Sequence, residues 1–332
     1  MKRPWLVPFT PLYAAGVAVR NLGIERGWEP VRRLQWPVVS IGNLSTGGAG
    51  KTPLVIALAR LIAGAGFHVD VLSRGYGRQG QTVARVSPTG TAEEFGDEPL
   101  LIARDADVPV YVAPLRFDAG KRAEEEGQNA GDEGHKPSLH ILDDGFQHRQ
   151  LHRDVDILLL NREDWLDDLL PAGNLREALH AAKRANVIAI PADEPALEDV
   201  LRAWGWQGPV WRLHRHMEVP AIDGPVAAFC GIARPEQFFR GLASAGLHVV
   251  TRIVFHDHHH YTRDDVRQVV DAARAVRAGA FLTTEKDYIR LAALMAAFPA
   301  TVPLKTARLR IEIEDEAAAL DWLMVRLKAG PA

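Results

Sequence analysis

Residues 43–53 read NLSTGGAGKTP and lie between two apolar runs, WPVVSIG (36–42) and LVIALARLIAGAG (54–66). The first run has the β-branched content of a buried strand, and the second has the length and composition of a helix. Glycines, a lysine and a threonine at a strand-to-helix turn are the ingredients of a phosphate-binding loop. Its successive N–H groups turn toward an anion, and the helix adds the positive end of its dipole. The usual pattern is G-x-x-x-x-G-K-[ST]. Gly50, Lys51 and Thr52 match its end, but Ser45 stands where the first glycine is expected, and the glycine set is Gly47, Gly48 and Gly50. The physics survives the change. Ser45, Thr46, Gly47, Gly48, Ala49 and Gly50 are expected to wrap a nucleotide triphosphate, Lys51 to reach its β- and γ-phosphates, and Thr52 to offer its hydroxyl to Mg²⁺.

Outward from this loop, short apolar runs alternate with helical patterns: 37–41, 68–72, 108–113, 138–142, 156–160 and 186–191. Continuous apolar strands alternating with helices predict a doubly wound, mostly parallel α/β sheet of phosphate-loop NTPase type, with ligands beyond the carboxyl ends of the strands. The pattern pauses over 211–225, read as a linker, and resumes with strands at 225–233, 247–255 and 280–284 and a helix from Thr262 to about Ala278. The expected organisation is an N-terminal segment (1–35), a core domain (36–215) and a smaller α/β domain (216–332) ending in a helix. Thr262 with Asp265 resembles a capping box. The polar stretch 124–137 reads as a mobile surface insertion.

A net charge of −3 gives no global basic field, so nucleic acid is not an expected partner. The one cysteine, Cys230, excludes disulfides and cysteine-based zinc sites. Residues 4–19, PWLVPFTPLYAAGVAV, carry no charge and are flanked by Lys2, Arg3, Arg20, Arg26, Arg32 and Arg33. The run is short for a spanning helix, which needs about 20 residues. An apolar helix edged by arginines and aromatics suits a membrane interface, with Thr10 as N-cap and Pro11 at the first helical position.

Other stretches carry chemistry. Asp143 and Asp144 close the apolar run 138–142, where a phosphate-loop enzyme places the acid that serves Mg²⁺. FGDEP (95–99) puts Asp97 in a turn. SRGYGR (73–78) and RFDAGKRA (116–123) supply Arg74, Arg78, Arg116, Lys121 and Arg122, which either clamp a phosphorylated substrate or solvate the surface. FHDHHHYT (255–262) lacks metal-site spacing and suits His–Asp proton transfer. TTEKDYIRL (283–291) is polar at a strand end.

Taken together, VSIGNLSTGGAGKTP (39–53), LSRGYGR (72–78), GDEP (96–99), ILDDGFQH (141–148), LLPAGNLRE (169–177), FHDHHHYT and TTEKD (283–287) resemble, in order and over nearly the whole chain, the tetraacyldisaccharide 4′-kinases of lipid A synthesis. The resemblance implies a kinase at the cytoplasmic face of the inner membrane, peripheral or held by a single N-terminal anchor. It would use ATP and Mg²⁺ to phosphorylate the 4′-hydroxyl of tetraacyldisaccharide 1-phosphate, a glycolipid, and a monomer is expected. It also implies roles: Lys51 and Thr52 at the triphosphate, Asp97 as acid/base with His258 as partner, and Asp143 and Asp144 as the Mg²⁺-linked pair. Asn43, Arg74, Arg116 and Arg176 are then expected near substrate. The run His258–His260 leaves the catalytic histidine open by one position. A rival reading is a phosphate-loop ATPase switch, whose loop commonly carries a lysine where Thr46 stands. Another is a non-catalytic nucleotide sensor, which needs no acid/base pair.

Overall fold

The computed structural model describes residues 3–48, 50–129 and 137–328. Expectations placed on Lys2, Ala49 and residues 130–136 lie outside the described residues. In chain order the elements are α1 (Thr10–Glu25), β1 (Val38–Asn43), α2 (Lys51–Gly64), β2 (His68–Ser73), β3 (Ala84–Arg85), α3 (Ala92–Phe95), α4 (Asp97–Asp105), β4 (Val110–Val112), α5 (Arg116–Asn129), β5 (Ser138–Asp143), β6 (Val155–Leu159), α6 (Arg162–Trp165), β7 (Val187–Pro191), α7 (Ala196–Ala203), β8 (Val210–Glu218), β9 (Val226–Cys230), α8 (Pro235–Ser244), β10 (Val249–Val254), α9 (Arg263–Ala275), β11 (Ala280–Thr284), α10 (Glu285–Arg290), β12 (Leu304–Ile313) and α11 (Glu316–Lys328).

The strands form one 12-stranded sheet in the order β10-β9-β11-β12-β8-β7-β6-β1-β5-β2-β4-β3. All pairs are parallel except β12/β8 and the edge pair β3/β4. Every residue of β1, β6, β7 and β9 is buried, as expected of strands covered on both faces. One face is held by α2, whose Leu54, Val55, Leu58 and Ile62 are fully buried against β1, β5 and β12. Each such side chain contributes about 1.5–3 kcal/mol of burial.

The β12/β8 pair joins two parallel sets running in opposite senses. The sheet twists strand by strand, and the loops that follow β1, β5 and β9 meet on one side of the molecule. This is where the linker expectation over 211–225 is corrected. Residues 210–218 are a strand that pairs parallel with β7 and antiparallel with β12. Its charged, half-exposed character hid it, because alternate side chains of β8 face solvent.

Three smaller differences have local causes. The insertion expected at 124–137 is helical through Asn129. Ala119 and Ala123 of α5 are buried, and buried Glu124 accepts hydrogen bonds from the backbone N–H of Gln35 and of Trp36. Thr10 is not an N-cap, because a 3-10 turn over Pro4–Phe9 leads straight into α1 and leaves its hydroxyl unpartnered. The capping box at Thr262 and Asp265 is present, with α9 ending at Ala275. Among the described residues no helix is long and apolar enough to cross a membrane.

Candidate functional site

The loop after β1 ends at Gly50, which takes φ 89° at the N-cap of α2. Gly47 has φ 89° as well, and a Cβ there would lie 2.7 Å from the Ala233 Cβ, so the loop is pressed against the β9–α8 turn of the other parallel set. Both positions require glycine for backbone conformation, and Gly47 also for close approach. Lys51 opens α2, and its Nζ donates to Asn43 Oδ1 (2.8 Å) and lies 3.4 Å from Asp144 Oδ1. Arg176 donates through both Nη atoms to the two carboxylate oxygens of Asp144, at 3.0 and 2.9 Å, and through Nη2 to Asn43 Oδ1 at 2.7 Å. Asn43 is fully buried and donates to Ser45 Oγ. It therefore sits beneath the loop and orients Lys51 and Arg176. Ser45 is buried likewise, whereas Thr46, Gly47 and Gly48 face the cavity.

Asp143 and Asp144 differ in state. Burial pushes Asp144 up, but Lys51 and Arg176 outweigh it and hold the carboxyl well below the usual range. Asp143 accepts from Ser73 Oγ (3.0 Å), and its pKa is pushed up to about 7, by burial first and then by Glu98 and Asp144. A buried carboxylate raised by neighbouring carboxylates is a site short of positive charge. Among the described residues no group of three or more His, Cys, Asp or Glu could hold a metal by itself. Mg²⁺ usually takes only one or two carboxylates and completes its shell with phosphates and water. Asp143 and Asp144, side by side in one cavity, fit that ion, with Asp143 the less committed of the two, and Thr52 lines the adjoining cavity. Asp143→Asn is expected to move two readouts in opposite directions. The ligand-free melting midpoint should rise by about 2–4 °C as repulsion is relieved, and phosphoryl transfer should fall by about 10²-fold or more. Calorimetric melting beside a labelled-phosphate assay checks both.

A second group gathers at the N-terminus of α4. Asp97 is the first residue of that helix, where the dipole favours an anion. Arg290, from α10, donates to Asp97 Oδ2 through Nε (2.8 Å) and Nη2, and through Nη1 to Asp287 Oδ1 (3.1 Å) and the Gly231 carbonyl (2.8 Å). Asp287 is fully buried and also accepts from Gly231 N–H, Thr284 Oγ1 and the Tyr261 hydroxyl. His258 Nδ1 lies 3.5 Å from Asp97 Oδ2. Burial would push Asp97 up, but the His258 hydrogen bond and the Arg290 and Lys286 charges hold it well below the usual carboxylate range. His258 is raised by its bond to Asp97.

Of the histidine run, His258 is the one that meets Asp97. His258 takes φ 55° and lines the cavity. His259 stacks on Phe255 and pairs with His256 and Asp265, so it builds the loop. Non-glycine residues at positive φ are uncommon and cluster at functional sites. Asp144 (φ 49°) and His258 are two of the four such residues among those described.

The first group borders a cavity of about 690 Å³ through Lys51, Asp144 and Arg176, and the second through His258 and Arg290, with Asp97 buried behind them; Asp143, Arg74 and Arg116 line it too. A second cavity of about 740 Å³ adjoins it and is lined by Gly50, Thr52, Pro53, Arg215 and Phe238, among others. Gly48, Lys51 and Lys286 face both. Arg116 is buried, and its pKa is pushed down to about 10 by burial and by Arg74. Beside them the His148 imidazole is pushed down to about 3 by burial and by the Arg116, Arg153, Arg20 and Arg74 charges. Arg78, Lys121 and Arg122 are not part of this pocket: they bind the Thr82 carbonyl, Glu124 and Glu126. Sequence reasoning missed Arg290, Lys286, Asp287 and Glu98 as site residues. The polar run 283–291 at a strand end was the signal for the first three.

A glycine-rich loop on a buried parallel strand, closed by Lys51 and Thr52 and faced by paired acids and an Asp–His pair, defines a phosphate-loop phosphotransferase. The family model described as Tetraacyldisaccharide-1-P 4′-kinase matches residues 2–328. The chain belongs to that family. Relatives named tetraacyldisaccharide 4′-kinase include one from Koribacter versatilis, 41% identical over 96% of this chain and 97% of its own. Another, from Aquifex aeolicus, is 34% identical over 93% and 96%. The crystal structure of LpxK from Aquifex aeolicus in complex with ATP superimposes with a TM-score of 0.74 at 32% identity, over 97% of this chain and 98% of that one.

Proposed function

We propose that this chain transfers the γ-phosphate of ATP to the 4′-hydroxyl of tetraacyldisaccharide 1-phosphate. The observation that carries the reading is the meeting of the Lys51–Asp144–Arg176 group with the Asp97–His258–Arg290 group around one cavity. The first neutralises and positions a phosphoryl group, and the second accepts a hydroxyl proton, which is most of what phosphoryl transfer requires. Thr52, Asp143 and Asp144 would hold Mg²⁺. The chemistry that ion supplies when bound is neutralisation of charge on the phosphate oxygens. The nucleotide would run from the second cavity past Lys51 into the first. Arg74 and Arg116, with neutral His148 as a hydrogen-bonding neighbour, offer charge to the acceptor's 1-phosphate.

The N-terminal segment supports a membrane-bound acceptor. Trp5, Val7, Phe9, Leu12, Val19, Leu22, Trp28 and Val31 are exposed, and they make up 8 of the 17 large hydrophobics exposed among the described residues. Such a patch suits an interface rather than water. The Tyr13 hydroxyl donates to the Arg176 carbonyl, and Arg20 lines the cavity, so α1 lies over the site. This arrangement suits a peripheral enzyme on the cytoplasmic face of the inner membrane, drawing the sugar in while the acyl chains stay in the lipid. A division into a core lobe and a smaller lobe suits closure: Arg290–Asp97, Lys286–Glu98 (2.6 Å) and Arg234–Asp164 (3.2 Å) tie the two together.

The test is incubation with γ-labelled ATP, Mg²⁺ and tetraacyldisaccharide 1-phosphate in detergent micelles. Label is expected in lipid, with phosphate release to water much slower without acceptor. Acceptor-independent phosphate release with no labelled lipid would favour the ATPase switch.

A further inference from the structure

Most cations around the two cavities already have partners: Lys51 and Arg176 bind Asp144, Arg234 binds Asp164 and Glu163, Lys286 binds Glu98 and Arg290 binds Asp97. Arg215 does not. Among the described residues its side chain has no hydrogen bond and no ion pair. Its position is also unusual. On β8, Trp211 and Leu213 face the core, and the period of 2 puts Arg215 on the same side. Its register partner on β12 is Ile311, a core residue. A position patterned for an apolar side chain instead carries an arginine.

The side chain reaches the phosphate loop. A Cβ on Gly50 would lie 3.1 Å from Arg215 Nη2, so the guanidinium rests against the N-cap of α2. It lines the second cavity with Thr52 and Pro53, away from Asp143 and His258 in the first. Burial and the Arg234 charge both work against its protonated form, while Asp193, Glu194 and Glu163 help only at a distance. An arginine kept half-buried beside a second arginine and a helix N-terminus is a costly arrangement without an anion. A planar guanidinium with free N–H groups matches phosphate oxygens.

We infer that Arg215 is a nucleotide-binding residue whose guanidinium takes an oxygen of the diphosphate that stays with the nucleoside, closing the loop's anion site from strand β8 on the face of the sheet that α2 covers. The inference rests on the kinase reading and deepens it. It gives β8 a chemical task and ties nucleotide occupancy to the strand that joins the two parallel sets.

The test is calorimetric titration of the full chain with ATP, ADP and adenosine, for the native protein, Arg215→Ala and Arg215→Lys. Arg215→Ala should weaken ATP and ADP alike by about ten- to a hundredfold, leave adenosine unchanged, and raise the KM for ATP but not for the acceptor. Arg215→Lys should recover part of the loss. A ligand-free melting midpoint that is unchanged or raised identifies the effect as binding, and Arg215→Gln replaces the alanine variant if that one misfolds. Native affinity for ADP in Arg215→Ala, loss for ATP alone, or equal loss for adenosine would each overturn the inference while leaving the kinase reading intact. A native protein that binds neither nucleotide would overturn both.

Discussion

Lys51→Met is expected to lower phosphoryl transfer by about 10²–10³-fold, the loss that follows removal of one preorganised charge at a transition state. Lys51, like Lys286, is a cation that both cavities share. Its Nζ is held by Asn43 and Asp144, so it is placed before any substrate arrives. The variant should fold, because Asp144 keeps its bidentate Arg176 and Asn43 keeps that same partner. Single-turnover transfer of labelled phosphate, beside a melting curve, separates the two effects. A rate within tenfold of native in a folded variant would remove Lys51 from the mechanism.

Asp97→Asn is expected to lower the rate by about 10²–10⁴-fold, the range of general-base catalysis, with little change in nucleotide affinity. Asparagine keeps the shape and the helix N-terminus, and Arg290 keeps Asp287 and the Gly231 carbonyl. The pH dependence gives a sharper reading. The groups facing Asp97 are Arg290 and Lys286 from α10 and His258 from the loop after β10, and together they hold its folded pKa below the ordinary value. A depressed carboxyl pKa leaves Asp97 ionised throughout the neutral range, so if it is the base, activity is expected to be lost only as pH falls through that low value. It also contributes stability that is present above the unfolded pKa and lost below it. Arg290→Gln removes the largest charge and should move the acid limb of the rate profile to higher pH. A profile that stays in place would show that the Arg290–Asp97 pair is structural.

Many of the residues that line the candidate site were legible in the sequence wherever the pattern was local. Gly50-Lys51-Thr52 lies between an apolar strand and an apolar helix, and Asp143–Asp144 closes another such strand. In a parallel sheet, strand ends converge on one edge for topological reasons, so these residues had to meet. The individual parallel strands were legible too, because burial on both faces leaves runs such as VIAIP almost wholly apolar.

What the tertiary structure decided was everything that depends on contacts across the chain. β8 reads as a polar linker because alternate side chains face solvent, and only its pairing with β7 and β12 makes it the seam of the sheet. Asn43 looks like a ligand by its place in the motif, yet burial turns it into a support for Lys51. Which histidine meets Asp97 depends on the positive φ at His258, which no residue pattern prescribes. Arg290 stands 193 positions from the carboxylate it binds, and Arg215 lies well over a hundred positions from the loop it touches. Spacing along a chain fixes which side chains share a face of one element. Charges brought together from opposite halves of a sheet are set only by its order and twist.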